Sequence, residues 1–203
     1  RFNVVDLPGT YSLTAYSLEE VVARDFLVQE QPGVVINIVD ASNLERNLYL
    51  TLQFIEMGMP VCIALNMIDM ADTRGITIDH QKLSKLLGVP VVPTIARSGK
   101  GKNALAKAMI DLIDKKTPPA TVQISYGTDI DTALDKMESI ISKAQFMTQT
   151  YPARWVALKY MESDEQILKS GQAADRSVAI KLEKQVAQVS DHIRNTLNSY
   201  PEA

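Results

Sequence analysis

A chain of 203 residues with 46% hydrophobic and 22% charged side chains has the make-up of an ordinary globular protein, long enough for one large domain or a domain with a smaller companion. Its net charge of -3 provides no basic excess to displace counterions from phosphates, which argues against nucleic acid as the main partner. The lone Cys62 excludes a disulfide framework and suits a reducing compartment; no apolar run approaches the roughly 20 residues that span a bilayer, and no stretch reads as a signal peptide.

Phe2–Asp6 reads as a short strand that is ended at once by Leu7-Pro8-Gly9-Thr10. Asp6-x-x-Gly9 is therefore a candidate phosphate-sensing turn. An Asp at a strand end can hold Mg²⁺ through a bound water, while a Gly lets its bare N–H approach a terminal phosphate oxygen. The plainer reading is an ordinary strand-end turn. Tyr11 to Ser17 is a loop of small and polar residues. Ser17 then caps a helix with Glu20 three positions on, and the helix runs to about Gln31 before Pro32-Gly33 stops it. Val34–Asp40 is apolar at nearly every position, as expected of a strand covered on both faces. Asn43 is placed to cap the next helix, which carries Leu44, Leu48, Leu52 and Ile55 on one face up to Met57-Gly58.

Pro60 begins the strand on which the chain turns, Val61-Cys62-Ile63-Ala64-Leu65, which runs straight into Asn66-Met67-Ile68-Asp69. A carboxylate held at a strand's C-terminal end can accept both N–H bonds of guanine's Watson–Crick edge, from N1 and the 2-amino group, and adenine offers neither donor there. The Asn can tie neighbouring loops together. Cys62 itself reads as a small core residue. A short helix, a loop around Arg74-Gly75, and an Asp79-capped helix with Leu83, Leu86 and Leu87 ending at Gly88 come next. The strand Val89–Val92 then delivers Pro93 to Gly101, and a helix covers about Lys102 to Asp114. Such alternation predicts an α/β domain with a parallel sheet and with all three candidate loops at the C-terminal ends of strands.

Beyond Asp114 the composition changes. Lys115–Pro119 is a linker, Thr121–Tyr126 a short extended piece, and the remainder is helical. One helix from about Asp129 carries Ile130, Leu134, Met137, Ile141 and Ala144, and a second, Arg154–Met161, holds Trp155. Ser163 to Gln166 reads as a capping box, and a long last helix repeats Val178, Leu182, Val186, Val189, Ile193 and Leu197. These stripes read as core. His80 and His192 are isolated, with no metal-site spacing, so no metal site is expected from them.

The order Asp6-Leu7-Pro8-Gly9, Asn66-Met67-Ile68-Asp69, then Ala96-Arg97-Ser98 before a glycine-rich turn resembles the last three nucleotide motifs of a Ras-like GTPase. More narrowly, DLPGTYSL, YSLEEVVARDFL, VDASNLERNLYLTLQ, LNMID and LGVPVVPTIARSGKG resemble the cytoplasmic GTPase domain of the bacterial ferrous iron transporter B family, FeoB. The resemblance implies a Ras-like P-loop GTPase fold over residues 1–117, incomplete at its N-terminus, and a small all-α helical domain over residues 118–203. It implies GTP or GDP and Mg²⁺ as cofactors, with Asp6 holding the metal through water and Gly9 reporting on the γ-phosphate. Leu7 and Pro8 complete that turn, and the loop Thr10–Glu19 would rearrange between nucleotide states. Asn66 and Asp69 would read guanine beside Ile68, Met67 would lie over the base, and backbone N–H groups of Ala96, Arg97 and Ser98 would meet guanine O6.

Ala96 stands where a Ser is common in the family, which implies weaker nucleotide retention. No catalytic residue is assigned with assurance; Gly9 and Thr10 are the candidates, and Thr10 is too short to orient water as the usual Gln does, so slow hydrolysis is expected. Glu19 and Glu20 read as solvated residues of a helix's first turn. The implied partners are a guanine nucleotide and a C-terminal transmembrane region of the same polypeptide, with room for a homo-oligomer and no role for nucleic acid. The implied location is the cytoplasmic side of a bacterial inner membrane. A free-standing GTP-dependent assembly factor acting on a ribosome or partner protein is the alternative, and a nucleotide-free scaffold the plainest one.

One departure stands out. No G-x-x-x-x-G-K-[ST] occurs; Gly99-Lys100 is followed by Gly101. In a Ras-like sheet the strand feeding that loop lies between the strands read here as residues 2–6 and 34–39, so an upstream segment of about fifty residues is expected before Arg1.

Overall fold

In a computed structural model, which describes residues 3–14, 17–114 and 124–197, the first helix begins where the capping pattern puts it. Ser17 accepts from the Glu20 N–H and Glu20 accepts from the Ser17 N–H, and α1 runs Leu18–Glu30 with Ala23, Arg24 and Leu27 buried. Next come β1 (Val35–Asp40), α2 (Leu44–Glu56), β2 (Val61–Asn66), α3 (Ile68–Thr73), α4 (His80–Leu87), β3 (Val91–Pro93) and α5 (Lys102–Asp114). The strands form one parallel sheet in the order β1-β2-β3, with Asp40 level with Asn66 and Leu65 level with Pro93. Every residue of β2 up to Leu65 is buried, so the sheet's middle strand is the centre of this core.

Several expectations are corrected. The strand expected over residues 2–6 is absent: Asn3–Asp6 has no regular structure, and Val4 and Val5 are 76% and 53% exposed. An extended segment becomes a strand only with a ladder partner, and none of the described strands pairs with it. The loop after Asp6 therefore does not leave a strand end. β1 alternates rather than being covered on both faces: Val35, Asn37 and Val39 are buried, while Ile38 is 67% exposed. Asn43 makes no side-chain cap; Asp40 instead accepts from Ser42 and caps a 3₁₀ turn over Ala41–Asn43. The buried stripe of α2 is rotated to Leu50, Thr51, Phe54 and Ile55, partly because Thr51 accepts from buried Asn37 at 2.7 Å, leaving Leu44, Leu48 and Leu52 half-buried. Leu86 faces outward, and only Leu87 of its pair is buried.

The chain divides into two compact units, Arg1–Val122 and Gln123–Ala203. The boundary expected after residue 117, the linker and most of the extended piece lie outside the described residues; Ile124–Gly127, which are described, form no strand.

The second unit consists, among its described residues, of α6 (Thr128–Ala144), α7 (Ala153–Met161), α8 (Glu165–Ala174) and α9 (Arg176–Leu197). Its core joins Leu134, Met137 and Ile141 of α6, Trp155, Val156 and Tyr160 of α7, Ile167 of α8, and Val178, Ala179, Leu182 and Ile193 of α9. Ala144 is exposed, and Val186 and Val189 are half-buried, so the outer parts of both expected stripes lie off the core. The cap of α8 is Asp164, whose carboxylate accepts from the N–H groups of Gln166 and Ile167; the expected cap, Ser163, has a φ of 57° and precedes it. Lys159 is buried without being isolated, since its ammonium meets Glu162 and sits 5.5 Å from the Trp155 ring.

Gly171 shows how tightly α8 meets α7. A Cβ there would fall 2.1 Å from Tyr160 Oη and 2.9 Å from Phe146 Cζ. We expect Gly171→Ala to destabilise this unit by about 1–3 kcal/mol, read as a lowered melting temperature, because two aromatic rings would have to move. An unchanged melting temperature would show that the contact is slack.

Candidate functional site

β2 and β3 end side by side, and the loops that leave them are tied to each other. Asn66, the last residue of β2, accepts from the Ala96 N–H at 3.0 Å and from the Thr94 hydroxyl at 3.5 Å through its Oδ1. Sequence reasoning gave Asn66 this tying role, and here the bonds are explicit. Met67 then adopts a left-handed backbone, φ 61° and ψ 31°, which turns the chain sharply into α3. Its carbonyl accepts from the N–H groups of Met70 and Ala71. The consequence is that Met67 is 40% exposed, while Asp69 lies exposed in the first turn of α3 just past the end of β2.

The loop after β3 is shaped by one glycine. Gly101 has a φ of 87°, and a Cβ on it would lie 2.3 Å from the Pro93 carbonyl oxygen, so the backbone closes on itself in a way only glycine permits. Ile95 and Lys100 bridge across the closed loop. Between them Ala96–Ser98 forms a 3₁₀ turn. Three backbone N–H groups were expected to be open to a base here, and the geometry reduces that number. Ala96 donates to Asn66 and Ser98 donates to Ile95 O at 3.1 Å. Among the described residues, Arg97 N–H is the donor of the three with no hydrogen-bond partner.

Asp40, level with Asn66 on the neighbouring strand, was not singled out in the sequence. Burial raises its pKa, but hydrogen bonds from Ser42 and Asn43, with Arg74 nearby, outweigh that and hold its carboxyl below the usual value. It braces the 3₁₀ turn against which α3 packs, and so backs the helix that carries Asp69. Burial pushes the Cys62 thiol up to about 11, which keeps it an inert core group.

The third loop stands apart. No described hydrogen bond or ion pair links Asp6, Leu7, Pro8 or Gly9 to the loops at Asn66–Asp69 and Ala96–Ser98. Asp6 and Gly9 are exposed, and nothing lies within 4 Å of where a Gly9 side chain would begin. Thr10 turns its hydroxyl onto its own loop, donating to Ser12 O at 2.6 Å and accepting from Ser12 N–H. Glu20 is no free first-turn acid; besides closing the capping box it accepts a hydrogen bond from Ser12 Oγ.

A parallel sheet whose strand ends present an Asn-x-x-Asp turn beside a closed 3₁₀ loop, with a helical unit after it in the chain, is the architecture of a Ras-like G domain joined to a helical domain. Residues 1–109 match the family described as ferrous iron transport protein B, residues 126–203 match the FeoB cytosolic helical domain, and the chain belongs to the FeoB family.

Among its relatives, the Fe(2+) transport protein A/Fe(2+) transporter FeoB fusion protein of Porphyromonas gingivalis is 42% identical over 82% of this chain and 20% of its own length. The Fe(2+) transporter FeoB of Staphylococcus aureus is 36% identical over 96% of this chain and 31% of its own length. The chain thus spans less than a third of these curated relatives. In solved structures, NFeoB from S. thermophilus bound to mGMPPNP superposes with a TM-score of 0.81 at 34% identity, covering 97% of this chain and 71% of that one. Among the described residues no helix is long and apolar enough to cross a membrane.

Proposed function

We propose that this chain is the guanine-nucleotide switch on the cytoplasmic side of a bacterial ferrous iron transporter. It binds GTP and GDP, hydrolyses GTP slowly, and passes its nucleotide state to the transmembrane part of the same polypeptide. The observation that carries the reading is the bond from Ala96 N–H to Asn66 Oδ1, which holds the two loops of a base-reading edge together and leaves the Asp69 carboxylate and Arg97 N–H open. Relatives named as Fe(2+) transporters and a neighbour named as bound to mGMPPNP support it.

In this reading Asp69 accepts from guanine N1–H and the 2-amino group, and Arg97 N–H donates to O6. The Met67 side chain lies along the base as an apolar cover without charge. Asp6, exposed and without a described partner, fits a carboxylate that holds Mg²⁺ through water. When bound, the metal neutralises charge on the phosphate oxygens. Gly9 meets the γ-phosphate with a bare N–H. Thr10, whose hydroxyl is occupied within its loop, does not orient the attacking water, and turnover is slow for that reason. The assembly-factor alternative draws no support from the relatives.

Titration with GDP and ADP, on the polypeptide with a phosphate-binding loop present upstream, tests this. We expect GDP to bind at least about 100-fold more tightly, because ADP would leave the Asp69 carboxylate unpaired against the base. Equal affinities would return the chain to the scaffold reading.

A further inference from the structure

Two large polar side chains are buried in the core of the G domain. Arg24 of α1 is fully buried and Gln53 of α2 is 3% exposed. Burying such groups is costly unless they are engaged, so each must hold something. Both hold the main chain of Leu13, whose own side chain is fully buried. Leu13 N–H donates to Gln53 Oε1 at 2.6 Å, and Arg24 Nη1 donates to the Leu13 carbonyl oxygen at 3.4 Å. The residues just before it are also attached to these two helices. Ser12 Oγ meets Glu20 of α1, and the Arg46 guanidinium of α2 lies 4.0 Å from the centre of the Tyr11 ring.

We propose that Gln53 and Arg24 are positioning residues that latch the Leu13 main chain and fix the far end of the loop beginning at Gly9. Movement started at Gly9 therefore ends at Leu13 and does not enter α1. Opening the latch would expose a buried leucine and strip the Gln53 side-chain oxygen of its donor inside the core, whereas Leu7–Thr10 are exposed or half-buried and their described hydrogen bonds are those between Thr10 and Ser12. The moving segment is thus shorter than the Thr10–Glu19 stretch that the sequence suggested. This inference rests on the switch reading of the Gly9 loop, and its first test does not use nucleotide.

Amide hydrogen exchange read residue by residue by NMR on the polypeptide carrying its phosphate loop, without nucleotide, should find Leu13 N–H protected by about 100-fold or more. Gln53→Met keeps the volume and removes the acceptor; it should cut that protection by about tenfold or more while the amides of β2 keep theirs, which establishes that the variant is folded. Gln53→Glu retains the acceptor oxygen and should restore the protection. An unprotected Leu13 amide, or one indifferent to Gln53→Met, overturns the latch.

With GDP and then GMPPNP bound to the polypeptide carrying its phosphate loop, exchange should change over Leu7–Thr10 and stay level at Leu13 and through Val21–Leu27. In Gln53→Met the change should spread past Leu13. A tenfold or larger change at Leu13 of the unaltered protein would show the latch opening and overturn the stop. No change anywhere would overturn the switch reading while the nucleotide-free result stood.

Discussion

Asp69→Asn should move the preference of this protein from GDP to XDP by about 100-fold or more, the largest single effect expected in the G domain. The pattern of donors and acceptors on the two bases sets this outcome. Asp69 presents two acceptor oxygens, which suit the N1–H and 2-amino donors of guanine. Asn replaces one acceptor by an N–H₂ donor, which meets the 2-amino group of GDP donor to donor and the 2-carbonyl of XDP donor to acceptor. Because Asp69 is exposed in the first turn of α3 and no core contact depends on its charge, the variant should fold as the original does. Competition titrations with GDP, XDP and ADP read the outcome. A loss of GDP affinity with no gain for XDP would place Asp69 in the fold rather than against the base, and a variant that still prefers GDP would remove it from the pocket altogether.

What the sequence disclosed and what it withheld divide along a physical line. Local signals were legible. The Ser17–Glu20 capping box, the Asp79 cap and the stop at Gly88 each depend on a few neighbouring residues and were read correctly. So was the tie made by Asn66, because an amide at a strand end beside the next strand's loop has few other places to reach. Features needing a distant partner were not legible. The Leu13 latch joins residues eleven and forty positions apart, and nothing in the periodicity of α1 or α2 marks Arg24 or Gln53 as anything but interruptions of an apolar face. Asn37 and Thr51 misled in the same way: a polar pair satisfied across two elements turned the buried face of α2 away from the leucine stripe.

The strand expected over residues 2–6 failed for a related reason, since β structure depends on a neighbour as well as on its own side chains. The cap of α8 went to Asp164 rather than Ser163 by a margin no pattern resolves: both residues suit the position, and the carboxylate, by accepting two N–H groups, is the stronger acceptor. In the loop after β3 the sequence marked Ala96, Arg97 and Ser98 alike and could not divide them. Only the fold shows that two of their N–H groups are already used and that Arg97 holds the free one.

That division leads to the second large effect. Asn66→Ala should weaken GDP binding by about ten- to a hundredfold while costing about 1–2 kcal/mol of stability, because the side chain's bonds hold a loop and not the core. Without Oδ1, Ala96 N–H loses its acceptor and Thr94 its partner, and the 3₁₀ turn that aims Arg97 N–H is no longer fixed to the end of β2. Asn66→Asp separates this tie from any direct contact between the Asn66 amide and the base. An aspartate keeps the oxygen that accepts from Ala96 and loses the N–H₂ donor. If Asn66 acts as a tie, Asn66→Asp should retain most of the affinity that Asn66→Ala loses, with fluorescence titration of a labelled GDP as the readout. Should the two variants fall equally, the amide donor matters more than the tie, and the Ala96–Asn66 bond would be a by-product of the fold rather than the support of the pocket.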